Sequence, residues 1–60
     1  MNELIEYEIN KIYKVFEENR YDNIQKLTYI EARLIQAKAL YDFKIMIACQ
    51  KILEELHNKS

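Results

Sequence analysis

Neither glycine nor proline occurs anywhere in this chain of 60 residues. Those two residues supply most of the tight turns, left-handed caps and breaks that punctuate folds. A chain without them is expected to consist of helices joined by ordinary polar residues. The fold class read from the sequence is therefore all-α.

The first helix is clear from its pattern. Ile5, Ile9, Ile12 and Phe16 recur at the spacing of one helical face. Leu4, Tyr13 and Val15 flank that stripe, and Glu3, Glu6, Asn10, Lys14 and Glu17 fall on the other side. This predicts a helix from about Asn2 to about Asn19. The cluster Asn19-Arg20-Tyr21-Asp22-Asn23 then holds the turn-prone residues. Asp22 and Gln25 have the spacing of a capping box, and so do Thr28 and Glu31. The second helix thus begins at Asn23 or, after a short turn, at Tyr29. Ile24, Leu27, Leu34 and Ile35 project in a similar direction if the helix is unbroken from Asn23, which favours the earlier start.

No further turn signal is visible, so the second helix is expected to continue to about His57. The predicted architecture is one domain over residues 1–60, a two-helix antiparallel hairpin with a longer second helix. Helix 1 covers about 2–19, the joint 19–23 and helix 2 about 23–57. At 1.5 Å per residue the two helices span roughly 27 Å and 50 Å. Helix 1 then covers only half of its partner, and Asp42–Leu56 overhangs.

That overhang is the most apolar part of the chain. On a single wheel over residues 39–56, the apolar side chains occupy an arc of roughly 220°. A surface helix ordinarily shows a stripe little wider than about 100°. Such a helix needs cover on two sides, and a second copy of the chain is the expected cover. Phe43, Met46, Cys49, Leu53 and Leu56 are the candidate dimer seam, giving a four-helix arrangement. Ile5, Ile9, Ile12, Phe16, Leu27, Leu34, Tyr41 and Ile45 are the expected intrachain core.

Size supports association. A core this small rarely supplies more than roughly 3–5 kcal/mol without a staple. One cysteine excludes an internal disulfide, and Cys49 with His57 cannot complete a zinc site alone. Cys49 on the apolar face reads as a small hydrophobe. Lys38 and Asp42 stand at the spacing of a side-chain pair, and Asp42 lies inside the apolar arc. They read as a pair at the core mouth, with a register-fixing polar device as the sharper alternative. Among the five tyrosines, Tyr7 and Tyr29 project away from the main apolar faces and are candidate anchors for a partner.

No motif for chemistry is present. A phosphate-cradling or dinucleotide loop needs glycine, and no nucleophile–base or metal-ligand spacing is found. The reading is therefore of a non-enzyme, with no cofactor, no metal and no small-molecule substrate. The formal net charge of −1, with acids and bases interleaved, argues against nucleic acid and anionic membranes as partners. The longest apolar run, Ile45–Cys49, is too short to span a membrane. The acidic start, Met1-Asn2-Glu3-Leu4, lacks the layout of a signal peptide. A cytoplasmic location follows as the expectation. The Ile-, Lys-, Glu-, Asn- and Tyr-rich vocabulary suits an AT-rich bacterial or phage genome.

The expected function is regulation or inhibition by helix-mediated binding to another protein, with homodimerisation as the ground state. In length and predicted hairpin the chain also resembles the Rop family of plasmid RNA-binding helical hairpins, which dimerise into four-helix bundles. No Rop motif residue is matched. The resemblance implies, as an alternative, a nucleic-acid-binding dimer in which Lys11, Lys14, Arg20 and Lys26 line one face near the turn.

Overall fold

The structure is a computed structural model that describes residues 2–58, with the side chains of residues 3–58. It contains three helices: α1 (Asn2–Asn19), α2 (Asn23–Leu40) and α3 (Phe43–Asn58). The all-α expectation holds. The two-helix hairpin does not, because the expected second helix is broken at Tyr41 and Asp42 into α2 and α3. The chain folds back twice. Its radius of gyration is 11.0 Å, close to the roughly 10 Å of a globule of this length.

Both breaks use the same device. After α1, the Arg20 amide donates to the Glu17 carbonyl (3.2 Å) and the Tyr21 amide to the Phe16 carbonyl (3.1 Å). After α2, the Tyr41 amide donates to the Lys38 carbonyl (3.2 Å) and the Asp42 amide to the Ala37 carbonyl (2.9 Å). These are the paired bonds of a Schellman motif, which normally needs a left-handed residue at its hinge. Arg20 (φ 52°) and Tyr41 (φ 56°) fill that position where glycine is usual. Each costs roughly 1–2 kcal/mol of backbone strain.

An aspartate then starts the next helix each time. Asp22 accepts from the Gln25 amide at 2.9 Å, and the Gln25 side chain accepts from the Asp22 amide at 2.9 Å, completing a capping box. This fixes the start of α2 at Asn23 rather than Tyr29. Asp42 accepts from the Ile45 amide through Oδ1 at 3.4 Å, and its carbonyl accepts from Met46 at 3.1 Å. Its carboxylate also lies 3.5 Å from Lys44 Nζ. The expected Lys38–Asp42 pairing is therefore replaced: Asp42 caps α3, and Lys38 is exposed in the last turn of α2.

The third helix fills the place given to a second molecule. α3 lies against both α1 and α2. Ile12 and Phe16 from α1, Ile30 from α2, and Cys49 and Ile52 from α3 form the buried core. Ile9, Tyr13, Tyr29, Leu34, Ile45, Leu53 and Leu56 pack around it. The small residues Ala37 and Ala48 are also buried on α2 and α3. Tyr41, expected in the core, is 78% exposed because it occupies the hinge.

The hinge gives a direct prediction. Tyr41→Gly relieves left-handed strain, which outweighs the extra freedom of glycine in the unfolded chain by about 1 kcal/mol at most. In thermal melts, Tyr41→Gly should unfold a few degrees above the wild type. Tyr41→Val should unfold below it, since a β-branched residue is a poor occupant of this region. The reverse order would show that Tyr41 is not left-handed in solution.

Candidate functional site

The expected seam residues divide between inside and outside. Cys49 is fully buried, while Leu53 and Leu56 pack against the intrachain core. They are committed to this chain, so the seam read from the sequence is not available as one surface. Met46 is half-buried and Phe43 is 64% exposed. The physical reason is the fold-back at Tyr41–Asp42: the wide apolar arc belongs to α3 itself, from Ala48 round to Phe43, and α1 and α2 of the same chain supply the cover expected from a second molecule.

The two tyrosine anchors also separate. Tyr7 is exposed, with Lys11 Nζ 5.3 Å from its ring centre. Tyr29 is half-buried and packs at 6.0 Å against the rings of both Phe16 and Tyr21. It belongs to the aromatic cluster that closes the α1–α2 end, and is not a free anchor.

Three exposed apolar residues gather where α3 begins. Tyr41 sits at the hinge, Phe43 follows two residues later, and Ile47 lies one turn beyond Phe43 on the same face of α3. The hinge residue cannot turn inward, because its backbone is fixed by the bonds that end α2. The core face of α3 runs through Ile45, Ala48, Cys49 and Ile52, leaving Phe43 and Ile47 on its back. The sequence marked Phe43 as an interface residue. It missed Tyr41 and Ile47 because both fell within a helix taken to be continuous.

The remaining groups have structural explanations. Burial pushes the Cys49 thiol above its ordinary pKa, with the nearby positive charge of Arg33 opposing in part. A protonated, buried thiol is a poor nucleophile. Tyr13 donates a hydrogen bond to Glu55 Oε1, joining α1 to α3. Burial first, and then the hydrogen bond and negative charge of Glu55, push the Tyr13 phenol up to about 12. Folding therefore favours the protonated phenol. That stability is fully present below the ordinary tyrosine pKa of about 10 and is lost as pH rises toward 12. Tyr13→Phe should flatten the fall in melting temperature over this window. An unchanged alkaline slope would place the Tyr13 hydroxyl in water.

Two depressions between the first half of α1 and the last turns of α3 have volumes of about 250 and 240 Å³ and share Ile9 and Lys51. Both fall below the roughly 300–1,000 Å³ of ordinary ligand pockets. A larger open groove of about 390 Å³ runs along α2 past Tyr21, Ile24, Thr28, Tyr29 and Ala32. Among the described residues, no three His, Cys, Asp or Glu side chains gather as a metal site. No helix among them is long and apolar enough to cross a membrane.

The fold is that of a small three-helix all-α protein with several large apolar side chains exposed. No protein-family model, curated protein or solved structure matches the chain.

Proposed function

We propose that this protein is a small non-enzymatic regulator or inhibitor that works in the cytoplasm by binding another protein. The observation that carries this reading is the corner formed by Tyr41, Phe43 and Ile47. Tyr41 and Phe43 are 78% and 64% exposed, although aromatic side chains ordinarily gain most by burial. Aromatic residues are enriched at the centres of protein interfaces. Here they stand on a rigid helix start, held by the Asp42 cap, so little conformational freedom is lost on binding. The occupant that suits a short apolar ridge is an amphipathic helix or groove of another protein.

The Rop-like alternative loses its architectural support, because the chain is a three-helix unit and not a two-helix hairpin. Of its proposed basic face, Lys11 lies 3.9 Å from Glu8, and Lys26 sits over the Phe16 ring at 5.6 Å.

A photoreactive residue at Ile47 tests the reading in the cells that make the protein. A discrete adduct with one other protein is expected, and it should vanish with Phe43→Asp. The same residue at Lys14, on exposed α1 surface, should give no such adduct. Equal capture from both positions, or capture of nucleic acid alone, would contradict the proposal.

A further inference from the structure

The two depressions in the seam between α1 and α3 share a wall, made by Ile9 and Lys51. Ile52, Glu54, Glu55 and Asn58 complete the one of about 250 Å³, and Ile5 and Glu6 the one of about 240 Å³. The isoleucines of these walls are buried or half-buried, while Glu6, Glu54, Glu55 and Lys51 are exposed. Three carboxylates thus border an apolar seam against a single ammonium. The carbonyl end of α3 adds to the negative field, since Glu55 and Asn58 stand in its last turn. The chain as a whole carries a net charge of only −1.

We propose that this seam receives a basic amphipathic helix of the protein bound at the Tyr41–Phe43–Ile47 corner, an inference that rests on the corner being a binding site. The two places are continuous. Ile47 and Lys51 are one turn apart on α3 and within about 40° of one another, so a helix laid on the corner runs on to the seam. Charge sets the chemistry of the occupant. At the corner Lys44 lies 3.5 Å from Asp42, so that end adds no net charge. The sign of the partner is therefore decided in the seam, where a second acidic helix would meet three carboxylates of its own sign.

Shape agrees with charge. An isoleucine floor under a carboxylate rim suits a lysine or arginine, whose aliphatic stem lies on apolar surface while its charged head stays at the edge. Two such side chains from neighbouring turns of one helix would fill the two depressions, one on each side of Lys51. Each depression alone is smaller than an ordinary small-molecule pocket, which favours side chains of a macromolecular partner over a free ligand.

Amide chemical shifts of the intact chain test the seam, with a synthetic amphipathic helix of leucine and lysine, about five turns long, as the probe. The signals of Ile5, Ile9, Ile47 and Lys51 should move together, and binding should weaken as salt rises from about 0.05 to 0.3 M. The same helix with glutamate in place of lysine should move none of them. Glu6→Lys and Glu54→Lys should each raise Kd about tenfold. Glu31→Lys makes the same charge change at an exposed site on α2 and should raise Kd by no more than about twofold. All three positions are exposed, so circular dichroism should match the wild type. Absence of binding, shifts confined to other surfaces, an equal response to the glutamate helix, or an equal loss with Glu31→Lys would each overturn the proposal. Phe43→Asp tests the corner separately: a weaker lysine-helix complex supports one continuous site. An unchanged Kd would detach the corner from the seam and count against the corner alone.

Discussion

Replacing Ile52 with alanine is expected to leave the chain largely unfolded at room temperature. Ile52 is completely buried and stands on α3 among residues of both other helices. Truncating a buried isoleucine to alanine costs about 2–5 kcal/mol through lost transfer energy and the cavity left behind. A chain this small has only about 3–5 kcal/mol to lose. Ile47→Ala makes the same chemical change on the same helix, but at a position 41% exposed on the opposite face. It should shift stability by no more than about 0.5 kcal/mol. Urea unfolding followed by circular dichroism separates the two. Similar midpoints for both variants would mean that α3 does not present Ile52 inward.

Phe16→Ala should be comparably severe, for a different reason. Its ring meets Tyr13 edge-on at 5.8 Å, Tyr29 edge-on at 6.0 Å and Tyr21 at a tilt at 6.2 Å. Lys26 Nζ lies 5.6 Å from the ring centre. Contact between α1 and α2 is otherwise sparse, so this ring is the main tie between the end of α1 and the start of α2. Losing a buried phenylalanine costs about 3–5 kcal/mol. Phe16→Leu keeps much of the volume but forfeits the edge-on pairs, each worth about 0.5–1.5 kcal/mol. It should fold with a lower melting point and a weakened near-ultraviolet tyrosine signal. A Phe16→Ala variant as stable as the wild type would remove the aromatic cluster from the account of the fold.

The sequence made the first half of the molecule legible. The face of Ile5, Ile9, Ile12 and Phe16 is the buried face of α1, and the Asp22–Gln25 capping box starts α2 where the pattern favoured it. The second joint was hidden because its hinge is a tyrosine. A left-handed residue normally advertises itself as glycine or asparagine, and neither stands at position 41. One signal was present: the dipeptide Tyr-Asp precedes both α2 and α3, as Tyr21-Asp22 and Tyr41-Asp42. In each case the aspartate caps the helix that follows. The wide apolar arc was a second sign, since it asks for cover on two sides and α1 and α2 together provide it once α3 folds back.

The interaction surface was less legible for the same reason. With α3 folded back, Cys49, Leu53 and Leu56 turn into the chain's own core, and the large apolar residues left exposed from α2 onward are Ile24, Ile35, Leu40, Tyr41, Phe43 and Ile47. Sequence periodicity shows which residues share a helix face. It cannot show which of two apolar faces meets the core until the number of helices is known. On α2 large apolar residues stand both on the core side and away from it, so only the position of α3 separates inside from outside.

The fold-back at Tyr41–Asp42 is therefore the point on which the core and the proposed binding corner depend. It is tested most directly by the distance between spin labels at Asn23 and Glu54, both exposed. The labels are carried on a Cys49→Ala background and diluted into unlabelled protein, so that only distances within one chain are read. The three-helix fold predicts a distribution centred within the 28 Å longest extent of the molecule. A continuous helix from Asn23 would hold the two positions about 46 Å apart at 1.5 Å per residue, and a distribution there would contradict the fold.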